Sequence, residues 1–256
     1  MKLGILGATG WLGQALGLRL IGQGIWPEGD LVLANRSGKH EAYAAYPTMV
    51  WGDVAQVCGA GVIVIAVRPE DFPMDGFDPG DALVISFMTV WTLPKLRHLY
   101  PKARIVRAMP NGAAPLGRSY TPWVSDVAAT DAALVGQILS AMGGQDRVAG
   151  EDELDYLAAL SGSGSAYPAL MAQAMLANAL ARGLPEAVAM RAVEAVVCGS
   201  APFLEGRMGE LDTILETYRA YKGVTAAGLD AAEAGFKRAI ADALAAATAK
   251  ARALGK

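Results

Sequence analysis

The sequence predicts an α/β protein in which an open, doubly wound parallel sheet is followed by an all-helical region. Through residue 110, short apolar segments alternate with helical stretches. Uninterrupted Val, Ile and Leu runs of this kind indicate parallel strands that are covered on both faces. After about residue 125 the strand signals fade, and alanine, leucine and methionine recur with helical spacing. The polar, glycine-containing stretch 143–155 predicts the boundary between a sheet domain, 1–150, and a helical domain, 151–256.

The sheet is predicted to contain five strands, each a short apolar run. They lie at residues 3–6, 31–35, 62–67, 82–87 and 103–109. In the helical region, Gly183 is expected to end one helix and Pro185 to occupy the first turn of the next. Residues 228–254 are predicted as one amphipathic helix, whose apolar stripe must be buried in a helical core or against a second copy of the chain.

The composition and charge of the chain indicate which kinds of molecule it can bind. With 256 residues, of which 53% are hydrophobic, the chain can form a sizeable core. The net charge of −3 and the scattered lysines and arginines argue against nucleic acid, and no apolar run is long enough to predict a membrane span. Cys58 and Cys198 are far apart and lie in no Cys/His cluster, so we predict no metal site and a reducing, cytoplasmic location. The expected partners are therefore small molecules and further copies of the chain.

A glycine-rich turn follows the first predicted strand and opens a helix. Its glycines are Gly7, Gly10 and Gly13. Glycine allows the backbone to turn tightly and to approach phosphates, while the helix N-terminus supplies unpaired N–H groups. The pattern therefore predicts a dinucleotide site, although a glycine turn without a ligand is the alternative. The residues predicted to contact the cofactor here are Gly7, Ala8, Thr9, Gly10, Trp11 and Leu12.

The second and third strands end in segments that suit a phosphorylated cofactor. Asn35-Arg36-Ser37 stands where an NAD site would place an Asp or Glu. An arginine and a hydroxyl favour a 2′-phosphate, so NADPH is predicted over NADH, with a solvated Arg36 as the alternative. A second segment lies at the carboxyl end of the third predicted strand, where ligands bind in such folds, and is predicted to flank the cofactor: Ala66, Val67, Arg68 and Pro69.

Three stretches and their order resemble the pyrroline-5-carboxylate reductase family. The first comprises the two cofactor segments, Asn35–Ser37 and Ala66–Pro69. The second, Val106–Asn111, resembles the family's RxMPNTP motif. The third, Leu160–Tyr167, resembles its LSGSGPAY motif. Similarity continues to the end of the chain. The resemblance implies a Rossmann-like NADP-binding domain, an all-α dimerisation domain and an active site at their junction. It implies hydride transfer from NADPH to a cyclic imino acid, as in proline biosynthesis, by a cytoplasmic homodimer or larger homo-oligomer. Further cofactor contacts are implied at Met109, Pro110 and Asn111.

The resemblance places the family's substrate loop, SPGGTT, on residues 220–225. Of the six positions, Gly223 and Thr225 match. Ala220, Tyr221 and Lys222 replace the first three residues, and Val224 replaces the fifth. We expect Gly223, Val224 and Thr225 to bind the substrate carboxylate, and Lys222 to add a cation beside it. Thr225 is the candidate catalytic residue, because its hydroxyl can orient or protonate the imine nitrogen. An ordinary helix N-cap is the alternative role for Thr225.

Other functions remain open. Tyr218 and Lys222 have the spacing of the tyrosine and lysine in short-chain dehydrogenases, but no serine precedes them at the expected distance and no strand follows. The changed loop also leaves room for a reductase of a different imine or keto substrate, or for a non-catalytic NADP-binding protein.

Overall fold

The computed structural model describes residues 1–255 and contains one eight-stranded sheet. The strands are β1 Leu3–Leu6, β2 Leu31–Ala34, β3 Val50–Trp51, β4 Val62–Ile65, β5 Leu83–Ser86, β6 Arg104–Ala108, β7 Ser119–Ser125 and β8 Gly143–Arg147. Their spatial order is β3-β2-β1-β4-β5-β6-β7-β8. All neighbouring strands run parallel except β6 and β7. The predicted α/β fold, with a doubly wound, mostly parallel sheet, is confirmed.

The helices cover the sheet and then form the second half of the chain. They are α1 Trp11–Gly22, α2 Val54–Cys58, α3 Leu93–Leu99, α4 Ala129–Ser140, α5 Glu151–Leu157, α6 Tyr167–Ala181, α7 Glu186–Glu194, α8 Leu211–Ala220 and α9 Val224–Leu254. The long last helix agrees with the predicted amphipathic helix at 228–254. Gly183 takes a left-handed φ of 81° just after α6, as a helix-ending residue should. Pro185 is the N-cap of α7, one position before the first turn in which it was predicted.

All five predicted strands are present, and three further strands were not predicted. β3 has only two residues, β7 contains Pro122, and β8 consists of the polar sequence GGQDR. These features conceal the apolar run that marks a buried strand. The polar stretch 143–155 thus forms β8 and part of α5.

The core lies on the two faces of the sheet. One cluster of buried side chains packs between the sheet and α1 and α4 and includes Leu16, Leu20, Val135 and Ile138. The other packs on the opposite face and includes Val57, Leu96 and Leu154 from α2, α3 and α5. All four residues of β1, β2, β4 and β5 are buried. This two-sided burial fixes where each strand ends, and therefore where a site at the carboxyl edge can form.

The chain divides into two compact units. The first comprises Met1–Ser165 together with the segment from Ala247 onward, and the second comprises Ala166–Ala246. Within the second unit, the hydrophobic side chains that are buried are Ala189, Ile214 and Ala226. Many large apolar side chains of this unit are exposed instead, among them Leu170, Met175, Met190 and Phe203. A surface of this kind marks a site of association.

One helical stretch in the described part of the chain could cross a membrane by length and composition alone. It is Glu186–Leu204, and 6% of it is buried. Sequence inspection predicted no such stretch. A single stretch of this kind is weak evidence for a membrane span.

Candidate active site

The glycine-rich turn is built on close backbone contact between β1 and α1. Gly7 has a φ of +88°, a conformation that side chains disfavour. A Cβ on Gly13 would lie 2.3 Å from the Gly7 carbonyl oxygen, so only glycine lets α1 pack this closely. A Cβ on Gly10 would meet nothing closer than 3.3 Å. Gly13 therefore serves packing, whereas Gly10 leaves its backbone open to a ligand, which is the division of roles expected in a dinucleotide site.

Tyr43 supports the turn from behind. Its hydroxyl donates to the Ala8 carbonyl oxygen at 3.0 Å and lies 3.4 Å from the Gly13 carbonyl oxygen. The ring is buried and packs edge-on against Trp51, with the ring centroids 5.6 Å apart. Burial raises the pKa of Tyr43, which keeps the hydroxyl protonated as a donor. No sequence motif indicates this role, because Tyr43 is separated from the turn by β2 and its loop.

A cavity of about 610 Å³ opens at the carboxyl ends of β1, β2 and β4. Because β1 lies between β2 and β4, this is where the strand order changes direction and where open α/β sheets bind ligands. Eight predicted residues line it: Gly7, Gly10, Asn35, Arg36, Ser37, Ala66, Val67 and Arg68. Residues that were not predicted also line it: Leu6, Ala34, Gly52, Asp53, Val54, Asp71 and Pro73.

Both signs of charge face the cavity. Arg36 and Asp71 form an ion pair in which the Arg36 guanidinium nitrogen is 3.0 Å from the Asp71 carboxylate. The Asn35 side-chain amide donates to the Ser37 hydroxyl at 2.5 Å. Asp53 accepts a hydrogen bond from the Gln56 backbone N–H at 2.9 Å and so caps α2. A spacing rule for nucleotide sites finds Arg36, but neither acid lies in a motif that would have indicated it.

Other predicted cofactor residues lie outside the lining of this cavity and remain predictions. They are Ala8, Thr9, Trp11, Leu12, Pro69, Met109, Pro110 and Asn111. Ala8 and Met109 are buried, whereas the indole of Trp11 is 68% exposed at the start of α1. The Asn111 side-chain amide donates to the Ser161 carbonyl oxygen at 3.2 Å. This bond joins two of the sequence motifs within the first unit, the MPN segment (residues 109–111) and the SGSGS segment (residues 161–165).

A buried arginine ties the sheet to α5. The side chain of Arg107, on β6, is 2% exposed and contacts the carboxylates of Glu151 and, at 3.2 Å, Asp155. It also donates to the Thr89 carbonyl oxygen at 2.6 Å. Glu151 accepts in addition from the Leu93 backbone N–H at the start of α3. The network thus joins β6, α3 and α5 just before the MPN segment.

The predicted substrate loop connects α8 to α9. Lys222 has a φ of +48°, a conformation that suits the glycine of the family pattern better than a lysine. Tyr221 and Val224 are 81% and 92% exposed. Since α9 begins at Val224, Thr225 is its second residue rather than its N-cap, and its backbone N–H belongs to the unpaired first turn. The loop leaves Lys222 beyond the end of α8, so Tyr218 and Lys222 do not share a helix face, which counts against the short-chain dehydrogenase alternative.

Ion pairs hold the two helices that flank the loop. The Arg219 guanidinium on α8 lies 3.1 Å from Asp230 and 2.7 Å from Glu233, both on α9. The Lys237 ammonium and then Arg219 lower the pKa of Glu233. Across residues 1–255, no group of three or more His, Cys, Asp and Glu side chains is arranged to hold a metal ion.

Comparisons with known proteins give the family. The family model described as pyrroline-5-carboxylate reductase dimerisation matches residues 151–254. A pyrroline-5-carboxylate reductase of Synechocystis is 29% identical over 266 residues, covering 100% of this chain and 99% of that protein. That of Mycobacterium tuberculosis is 31% identical over 223 residues, covering 81% of this chain and 75% of the relative.

The fold has relatives among solved structures. The Plasmodium falciparum pyrroline carboxylate reductase with NADP bound matches with a TM-score of 0.85 at 24% identity, over 100% of this chain and 98% of that one. At this identity the likeness speaks for the fold alone. The family assignment rests instead on sequence identity to the curated relatives and on the match to the dimerisation domain. The chain belongs to the pyrroline-5-carboxylate reductase family.

Proposed function

We propose that this chain is an NADPH-dependent reductase that converts 1-pyrroline-5-carboxylate, or a related cyclic imino acid, to the saturated amino acid. The observation that carries the proposal furthest is the cavity in which a glycine-rich turn meets Asn35, Arg36 and Ser37. The curated relatives from Synechocystis and Mycobacterium tuberculosis are named for this reduction, and the Plasmodium falciparum structure is described with NADP bound.

The residues of the cavity fit such a cofactor. Backbone N–H groups around Gly10 and the start of α1 suit the pyrophosphate, because Gly10 carries no side chain toward the cavity. Arg36 and Ser37 offer a cation and a hydroxyl for a 2′-phosphate, and Ala66–Arg68 form the opposite wall. When bound, the nicotinamide supplies the hydride that the imine carbon receives.

The substrate requires little acid catalysis from the protein. A protonated C=N is already electrophilic, so orientation provides most of the acceleration. Backbone N–H groups in the first turn of α9, at Val224 and Thr225, suit the substrate carboxylate, with Lys222 as a nearby cation. When the imine arrives unprotonated, the Thr225 hydroxyl donates a hydrogen bond to its nitrogen and relays a proton to it from water. Neither histidine is required: the Nδ1 atom of His40 accepts from the Ala42 N–H, and His98 is exposed on α3.

We further propose that the helical unit forms a homodimer, in a reducing cytoplasm. The match to a dimerisation domain and the exposed apolar side chains of the second unit support the dimer. Cys58 and Cys198 are free thiols, which supports the reducing compartment.

Removing the Thr225 hydroxyl is expected to impair turnover without affecting the cofactor. In Thr225→Ala we expect kcat/KM for the imine to fall roughly a hundredfold, because the imine nitrogen loses its donor. The dissociation constant for NADPH should stay within about twofold, since the cofactor cavity lies in the first unit. Steady-state oxidation of NADPH and fluorescence titration measure the two quantities.

Two control variants sharpen this test. Thr225→Ser keeps the hydroxyl and should retain most of the activity. Thr217→Ala removes a hydroxyl that donates to the Thr213 carbonyl oxygen within α8, so it should leave kcat/KM unchanged. Full activity in Thr225→Ala would remove Thr225 from the active site.

The changed loop favours a second candidate, a reductase for a different substrate or a non-catalytic NADP-binding protein. Ala220 removes a hydroxyl from the family pattern, and Lys222 adds a positive charge. Activity should therefore be compared on 1-pyrroline-5-carboxylate, a six-membered cyclic imino acid, an imine without a carboxylate and an open-chain keto acid. Tight NADPH binding without turnover on any of them would support the non-catalytic alternative.

A further inference from the structure

We propose that Asp71 is a specificity-determining residue that limits the preference of this enzyme for NADPH over NADH. It does so by pairing with Arg36 and by placing a negative charge beside the 2′-phosphate position. This inference rests on the proposed function, because it concerns the cofactor of the same site.

The position of the ion pair is the first observation. Arg36 follows β2, while Asp71 ends the 3-10 helix Pro69–Asp71 that follows β4. Since β2 and β4 flank β1, the pair bridges two strand ends on either side of the glycine-rich turn. Both side chains line the cavity. Arg36 is therefore engaged by an acid of the same cavity before any phosphate arrives.

The local charge balance is the second observation. Arg36 and Arg68 face the cavity together with Asp71 and Asp53, so the cations are matched by an equal number of carboxylates. Asp53 is held by the capping box of α2, in which the Gln56 N–H donates to its carboxylate. A 2′-phosphate carries roughly −1.5 to −2 charges near neutral pH. It must enter a site that is not net positive.

Competition for one guanidinium follows from these positions. The Arg36 side chain is 88% exposed, and a nitrogen of its guanidinium lies 3.0 Å from Asp71. A phosphate that binds Arg36 either displaces the Asp71 carboxylate or binds close to it. Both outcomes lower the affinity of the protein for NADPH. NADH has a neutral hydroxyl at this position, so Asp71 does not oppose it. Asp71 therefore lowers the affinity for NADPH relative to the affinity for NADH.

Replacing Asp71 by asparagine tests the inference. The dissociation constants of NADPH and NADH should be measured by fluorescence titration, which needs no turnover. We expect Asp71→Asn to bind NADPH about three- to tenfold more tightly, since exposed charge pairs have modest energies and the phosphate carries more than one charge. NADH affinity should change by less than about twofold. The gain should shrink at high salt, which screens exposed charges.

Control variants separate this effect from a general change in charge. Glu70→Gln makes the same change one residue earlier, at an exposed position that does not line the cavity, and should leave both constants unchanged. In an Arg36→Ala background, Asp71→Asn should have a smaller effect, because the competition for the guanidinium is gone.

The outcomes decide between the inference and the proposed function. An unchanged NADPH to NADH affinity ratio in Asp71→Asn, with both cofactors still bound, would overturn the inference alone. An equal gain in Glu70→Gln would also overturn it, since proximity to the phosphate would then be irrelevant. Wild-type protein that binds neither cofactor would overturn the proposed function and the inference together.

Discussion

Gly13→Ala is expected to destabilise the first unit by about 3 kcal/mol and to abolish measurable NADPH binding. The new Cβ would lie 2.3 Å from the carbonyl oxygen of Gly7 and 2.9 Å from its carbonyl carbon. Both contacts are to backbone, so no side-chain rotation relieves them, and α1 must move away from the turn. Urea unfolding and fluorescence titration with NADPH measure the two effects.

The same helix supplies a matched control. Gly22 ends α1, and a Cβ there meets nothing within 4 Å. Gly22→Ala should therefore leave the free energy of unfolding unchanged or raise it by about 0.5 kcal/mol. Wild-type stability and NADPH affinity in Gly13→Ala would contradict the role assigned to this close approach.

Arg107→Met is expected to lower the free energy of unfolding by about 3–5 kcal/mol. The substitution leaves the carboxylates of Glu151 and Asp155 without their shared buried cation, and it removes a donor from the Thr89 carbonyl oxygen. Unfolding of the wild type and variant in urea measures the difference. Arg107 lies just before the MPN segment, whose residues are predicted cofactor contacts. The variant should therefore also bind NADPH more weakly.

Arg104→Met provides the control on the same strand. Arg104 pairs with Asp131, but its side chain is 45% exposed. The Asp131 side chain is 14% exposed, so the pair is only partly open to solvent, and we expect a loss smaller than that of the buried Arg107 network, about 1 kcal/mol. Equal losses in the two variants would show that burial of Arg107 is not the source of its effect.

The strands that could be predicted are those buried on both faces. β1, β2, β4, β5 and β6 are parallel strands beneath helices, and burial selects continuous apolar runs that stand out in a sequence. β8 lies at the edge of the sheet, so its polar residues can face solvent. Its strand conformation follows from pairing with β7 rather than from its own side chains.

The candidate site was predictable where backbone chemistry dictates residue type. The glycine-rich turn and Arg36 could be predicted because each directly follows a predicted strand, where residues of a nucleotide site are expected. Asp71 and Tyr43 did not, because their roles depend on contacts across 35 positions of sequence, with Arg36 and Ala8 respectively. Exposed acids and buried tyrosines are common, so neither residue type signals such a partner.

The domain boundary placed at residue 150 stays a prediction. The helical-domain family match begins at residue 151, whereas the compact units divide after Ser165. The difference comes from α5, which packs against the sheet through Leu154 and the Arg107 network while belonging to the matched region.

Imine reduction is tested most directly by following the hydride. Wild-type protein should be given 1-pyrroline-5-carboxylate and NADPH that carries deuterium at both C4 positions of the nicotinamide, so that transfer from either face is labelled, and the product should be examined by mass spectrometry and NMR. We expect proline that carries one deuterium on ring carbon C5, formed in equal amount to the NADPH oxidised, with far less product from Thr225→Ala. Proline without deuterium at C5, or NADPH that stays bound and unoxidised both with this substrate and with a six-membered cyclic imino acid, would contradict the proposed function.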